Sequence, residues 1–280
     1  MLGSLLLSVL LAASLPLVAP AAAPPPPPPE DLATLVAAEP KDAATAKRML
    51  KENGVPTERR LQALALLATE AKKPKAEVLL DMVVECAGTC GGAHGLGDCM
   101  VALAAEIAAD QALLDRTLKL SADAAQPGAA RMAAYRALCA LPAEKRPEAA
   151  RAYSIRTVAL KAVAGAMQYD VKEIKAKPGE ALEITLENPD TMTHNWLLAA
   201  PNKLAEVGVA GDKMGETPAG RAKQWTPDLP SVIEVMGLVD PGKTGHLFLF
   251  APATPATYPY VCTYPGHWRS MNGKLKVQAP

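Results

Sequence analysis

The chain has 280 residues, half of them hydrophobic and only 4% aromatic, and its 29 Lys and Arg balance 29 Asp and Glu. That length holds one large domain or two ordinary ones, with a core built mostly from small aliphatic side chains. Zero formal net charge, with neither half strongly polarised, excludes the basic footprint of a nucleic-acid-binding protein.

Leu2 to Val18 is almost entirely apolar, and small residues follow through Ala23. The pattern predicts a secretory signal peptide over residues 1–23, cut after Ala21 or Ala23, although no Lys or Arg occupies its n-region. Left uncleaved, the stretch is just long enough to span a bilayer and would be the protein's membrane contact. Either way the body of the protein is exported, to the periplasm or its equivalent. Pro24–Pro29 is an unbroken proline run inside a linker of residues 24–30, which favours a stiff polyproline II spacer.

Residues 31–153 read as a helical domain. Ala, Leu, Lys, Glu and Arg dominate, and Leu61, Leu64, Ala65 and Ala68 recur at helical spacing. Asn53-Gly54 ends one helix and Pro56-Thr57 opens the next, while Pro74, Pro127 and Leu141-Pro142 mark further boundaries. Five to seven short helices are expected, as an all-α bundle or a solenoid loosely resembling HEAT repeats. The segment CAGTCGGAHGLGDC, with five glycines, is expected to interrupt them as a loop. Its Cys86, Cys90, His94 and Cys99 are candidate metal ligands. An oxidising compartment favours disulfides instead, among Cys86, Cys90, Cys99 and Cys139. No C-x-x-C-H is present, so covalent haem is not indicated.

After a linker of residues 154–164 the period changes from helical to alternating. Leu182, Ile184 and Leu186 alternate with Glu183, Thr185 and Glu187, a half-buried strand. Further strands are expected over Met167–Ala176, His194–Ala199, Ser231–Met236, Thr244–Phe250, Thr257–Cys262 and Gly273–Val277. Short strands between Pro and Gly turns predict an all-β sandwich over residues 165–280. Pro201–Trp225 lacks alternation and is expected to be an inserted loop with a short helix.

The chemistry concentrates in Tyr260-Val261-Cys262-Thr263-Tyr264-Pro265-Gly266-His267-Trp268-Arg269-Ser270-Met271. A strand delivers Cys262, Pro265-Gly266 turns the chain, and His267 and Met271 follow before the next strand. Thr193-His194-Asn195-Trp196 offers a second imidazole upstream. Soft thiolate and thioether suit Cu(I), and imidazole suits both oxidation states. Two His and one Cys with a weak axial Met form the blue-copper arrangement. Such a set leaves no open position for substrate, which argues against an enzyme. Cys262 is also the one cysteine of five left outside the N-terminal group.

The spacing C-x4-H-x3-M, with the wording CTYPGHWRSMNG and the upstream HNW, resembles the azurin and auracyanin type of cupredoxin. The resemblance covers residues 165–280 and implies a Greek-key sandwich holding one type 1 copper ion. It makes His194, Cys262 and His267 the equatorial ligands and Met271 the axial one. The carbonyl before the first histidine belongs to Gly in azurin and to Thr193 here, a candidate weak fifth contact. Asn195 and Thr263 match positions that tie the two ligand segments together. The resemblance further implies electron exit through an exposed edge of His267, within a patch holding Tyr264, Pro265 and Trp268.

The function expected is an exported one-electron carrier with protein redox partners as donor and acceptor. The alternative is a scaffold whose helical half docks a partner complex and carries a tethered copper module. A multicopper enzyme needs more histidines than the four present. His246, inside a strand, is expected to be structural.

Overall fold

A computed structural model describes residues 32–52, 54–86 and 92–279. The expected signal peptide, the proline-rich linker and Cys90 lie outside the described residues, as does the side chain of His94. Among the described residues no helix is long and apolar enough to cross a membrane.

Among the described residues eight α-helices come first: α1 (Leu32–Ala37), α2 (Ala43–Lys51), α3 (Thr57–Ala71), α4 (Lys75–Cys86), α5 (Gly92–Ala102), α6 (Ala104–Ala109), α7 (Gln111–Ala122) and α8 (Gly128–Ala140). Helices α3, α4 and α8 start directly after Pro56, Pro74 and Pro127, where a missing N–H leaves no intrahelical bond unmade. Asp42 caps α2 by accepting from Thr45 N at 2.8 Å, and Asp110 caps α7 through Ala112 N and Leu113 N. The helices gather around α5, which packs against α2, α3, α4, α6 and α8.

Helix α5 corrects the expectation of a loop across CAGTCGGAHGLGDC, whose residues 92–99 are helical. The reason is tertiary. Arg60, 4% exposed, lies so close over Gly95 that an added Cβ would sit 1.2 Å from its Nη1. Glycine there admits a buried guanidinium onto the helix and offsets its low helix propensity. Cys99 is buried and Cys139 half-buried, and both are free thiols that the structure leaves out of any disulfide. Cys99 sits in the helical core as a small apolar side chain.

Among the described residues nine strands follow: β1 (Arg156–Val163), β2 (Gln168–Tyr169), β3 (Glu173–Ala176), β4 (Ala181–Glu187), β5 (His194–Ala199), β6 (Val232–Val239), β7 (Thr244–Phe250), β8 (Ala256–Val261) and β9 (Asn272–Val277). They form two sheets, ordered β2-β1-β4-β7 and β3-β9-β8-β5-β6. The core between them holds Leu160, Ile174, Leu182, Ile184, Trp196, Leu247, Tyr260 and Leu275. The stretch expected as a linker, 154–164, contains β1, which pairs in parallel with β4 from Arg156↔Leu182 to Lys161↔Glu187. Its mostly exposed pattern, with only Leu160 and Ala162 buried, hides the strand from a search for apolar alternation.

The stretch from Pro201 to Trp225 holds two helices, α9 (Leu204–Met214) and α10 (Pro218–Ala222). Val207 of α9 packs with Leu197 and Ala199 of β5 and Val261 of β8 in a second small core. Apolar groups therefore cover β5 on both faces, and all six of its residues are buried.

The helical half packs on the sandwich through α8 and β7. Tyr135 meets Phe250 edge-on at 5.3 Å and stacks on Tyr153 at 4.1 Å. The Arg136 guanidinium lies 3.6 Å from the Phe248 ring centroid and bonds to Asp98 of α5 at 2.6 Å.

Candidate metal centre

Strand pairing brings the donors together. β5 runs antiparallel to β8, with Leu197 opposite Val261, so the first residue of β5, His194, lies at the end where β8 delivers Cys262. β8 and β9 form a hairpin with Val261 opposite Asn272, and residues 262–271 are its connection. Cys262 N donates to Met271 O at 3.0 Å, and Met271 N donates to His267 O at 2.8 Å. These bonds close the loop on itself. Gly266, with φ 86°, makes the left-handed turn that brings His267 back.

Among the described residues one group of potential metal donors converges: His194, Cys262 and His267, with donor atoms all within 4.8 Å of one another. Cys262 Sγ lies 4.0 Å from His194 Nδ1 and 3.6 Å from His267 Nδ1. Ligand bonds of about 2.0–2.3 Å to a shared centre produce edges of about this length. Cys262, His194 and Met271 are fully buried, and Met271 shares the core cluster of Cys262. Burial pulls the His194 imidazole below its ordinary value, against the opposing pull of Asp190. Burial, reinforced by His194, takes His267 down to about 4. Both rings are therefore neutral at pH 7 with a nitrogen lone pair to give. Burial pushes the Cys262 thiol up to about 11, while backbone N–H groups of Asn195 and Tyr264 pull it down. Those two N–H groups favour a thiolate once a cation replaces the proton. A thiol and two unprotonated imidazoles facing one buried point fit copper.

Comparison with known proteins agrees. The model of copper binding proteins of the plastocyanin/azurin family matches residues 156–278. Auracyanin-A of Chloroflexus aurantiacus is 30% identical over 113 residues, covering 40% of this chain and 67% of that one. Azurin of Achromobacter denitrificans is 31% identical over 121 residues, covering 40% of this chain and 78% of its own. The chain belongs to the plastocyanin/azurin family. The solved structure of auracyanin A covers 45% of this chain and 100% of its own at 28% identity and a TM-score of 0.41. Copper is accordingly the cofactor, and the helical half lies outside the family match.

Within this cupredoxin, Asn195 and Thr263 meet. Thr263 N donates to Asn195 Oδ1 at 2.8 Å, and Asn195 Nδ2 donates to Thr263 Oγ1 at 2.9 Å. Asn195 Nδ2 also donates to Gln224 O, and Thr263 Oγ1 donates to Trp225 O. Gln224 and Trp225 both hold left-handed backbone, φ 54° and 48°, a strained pair that aims two carbonyls at this junction. Tyr169 adds a hydroxyl to Asn195 O at 2.5 Å. Thr193 is half-buried and its hydroxyl donates to Asp240. His246 is exposed on β7 beside Glu183, away from the donors.

The His267 imidazole expected at the surface is only 2% exposed. Tyr264 lies against it at a tilt, with ring centroids 4.6 Å apart, and in turn contacts Trp225 at 4.5 Å. Tyr264, Pro265 and Trp268 are half-buried and form the outer layer.

Two carboxylates missed in the sequence hold this site. Asp212 of α9 accepts from Gly266 N at 2.7 Å, Trp268 Nε1 at 2.8 Å and Arg269 Nη1 at 3.1 Å. Helix α9 comes close enough for this because Gly211 faces Thr263, where an added Cβ would meet Thr263 O at 2.6 Å. The other is Asp190, whose Oδ2 lies 3.1 Å from His194 Nε2. Burial opposes its ionisation, but hydrogen bonds from His194, Thr191 N and Gly165 N outweigh that and hold the carboxyl below its ordinary value. Asp212 is 54 residues from Gly266, and Asp190 lies in a loop without periodicity, so no spacing signal announces either.

Proposed function

We propose that this protein is an exported one-electron carrier with one type 1 copper ion held by His194, Cys262, His267 and Met271. Copper, when bound, supplies the Cu(I)/Cu(II) couple. The observation that carries the reading is the convergence of two imidazole Nδ1 atoms on a buried thiol, all three within 4.8 Å. The protein's part is to keep these donors still. The loop closes through Cys262 and Met271, Asn195 and Thr263 pin the two ligand segments, and Asp212 pins Gly266 and Trp268. A site that does not rearrange exchanges an electron with little reorganisation, and four protein donors leave no position for a substrate. Thr193 O is a candidate weak fifth contact. The apolar run Leu2–Val18 with its small-residue tail supports export to the periplasm.

Electrons enter and leave across the face of Tyr264, Pro265 and Trp268, the outer layer over His267, with redox proteins as donor and acceptor. The test is a redox titration of the copper-loaded full chain. The oxidised protein is blue from thiolate-to-copper charge transfer and bleaches reversibly with one electron per chain. A copper-loaded protein without such a band, or one bleaching with two electrons, would overturn the proposal.

A further inference from the structure

The loop between β4 and β5 stations a carboxylate behind the first histidine, on the side away from the thiol. His194 turns Nδ1 toward Cys262, and its other nitrogen, Nε2, lies 3.1 Å from Asp190 Oδ2. Asp190 is only 6% exposed. Its Oδ1 accepts from Thr191 N at 2.7 Å and Gly165 N at 3.3 Å. The loop beneath is itself tied down. Asp190 N donates to Asn188 Oδ1, and Asn188 Nδ2 donates to Met192 O at 2.8 Å and Val239 O at 2.7 Å. Asn188 is fully buried. Backbone N–H groups of two separate segments, at Gly165 and Thr191, thus fix one carboxylate against one ring nitrogen, and Asn188 ties its loop to Val239. Among the described residues no carboxylate bonds His267 in this way, so the two imidazoles differ in kind.

An acceptor at Nε2 decides which nitrogen carries the proton, and so leaves the Nδ1 lone pair for the metal. A shielded negative charge beyond that ring also acts unequally on the two oxidation states. It attracts the more positive one more strongly, by one unit charge.

We propose that Asp190 is a positioning residue that fixes the tautomer of His194 and lowers the reduction potential of the copper site. This rests on the copper reading above. The expected size is about tenfold in the oxidised-to-reduced ratio, and tenfold is 59 mV for a one-electron couple.

The test uses the full chain as wild type, Asp190→Asn, Asp190→Glu and Asp190→Ala. Asparagine keeps an oxygen acceptor for Nε2–H and removes the charge. Asp190→Asn is expected to load copper, stay blue and show a potential raised by about 59 mV, with Asp190→Glu nearer wild type. Long-range proton–nitrogen NMR of the metal-free protein supplies a readout independent of loading. His194 is expected to be protonated on Nε2 in the wild type and to become a tautomer mixture in Asp190→Ala. A blue Asp190→Asn with unmoved potential would overturn the proposal while leaving the copper site standing. A wild-type His194 protonated on Nδ1 would overturn it even if every variant failed to fold. A wild type that takes copper without colour would sink both readings.

Discussion

Replacing Asp212 by Ala isolates what the α9 insertion does for the ligand loop. The carboxylate serves three donors, Gly266 N, Trp268 Nε1 and Arg269 Nη1, at 2.7, 2.8 and 3.1 Å. Hydrogen bonds to a charged group contribute about 1.5–3 kcal/mol each when shielded. Here the Asp212 side chain is 27% exposed and Arg269 63% exposed, so the ion pair contributes well under 1 kcal/mol. Gly266 is exposed, and water replaces much of that bond on truncation. Trp268 is half-buried over Gly208, and its indole N–H loses the most. Together these give a cost of about 2 kcal/mol. For a cooperative unit of this size that corresponds to roughly 4–8 °C in melting temperature. Thermal unfolding of the metal-free full chain followed by circular dichroism measures it, with Arg269→Ala as the control expected to move by less than about 2 °C. If Asp212→Ala also moves by less than about 2 °C, or if Arg269→Ala reproduces the whole loss, Asp212 does not hold the loop through Gly266 and Trp268.

Three further outcomes are expected. Met271→Gln should retain copper and colour but shift the potential, because an amide oxygen would replace the thioether among the residues that would hold copper; an unchanged potential would remove Met271 from that set. The metal-free protein should lose stability as pH falls from 6.5 toward about 4, since in that window the unfolded chain holds a proton that folded His267 refuses; a His267→Gln variant with the same slope in a melting-temperature series would assign the effect to other groups. Arg136→Ala removes a guanidinium only 10% exposed that joins Asp98 to the Phe248 ring, and should cost about 2 kcal/mol in urea unfolding of the full chain; a loss under about 0.5 kcal/mol would mean that this contact does not hold the helical half on β7.

The ligand loop was legible because its information is local. Cys262, His267 and Met271 fall within ten residues, between two short strands that the sequence places at Thr257–Cys262 and Gly273–Val277. Strands β5 and β7 begin and end where the pattern predicts, at His194–Ala199 and Thr244–Phe250. What stayed illegible depends on partners distant in sequence. The glycines of α5 signal a loop until Arg60 is known to press on Gly95. Strand β1 buries only Leu160 and Ala162, and its identity comes from pairing with β4. The Pro201–Trp225 insertion shows no alternation because it is a cover for β5 and the ligand loop, a role visible only once Val207 meets Leu197 and Asp212 meets Gly266. The Tyr264 ring lies over the His267 imidazole, which was expected at the surface and is buried.

Electron spin resonance and optical absorption of the full chain loaded with one equivalent of Cu(II), compared with Cys262→Ser, test the central claim most directly. The account predicts an intense visible band and a narrow copper hyperfine splitting, because the thiolate shares the unpaired spin, both lost in the serine variant. A wild-type spectrum matching that of Cys262→Ser would contradict thiolate ligation and with it the assignment of the site.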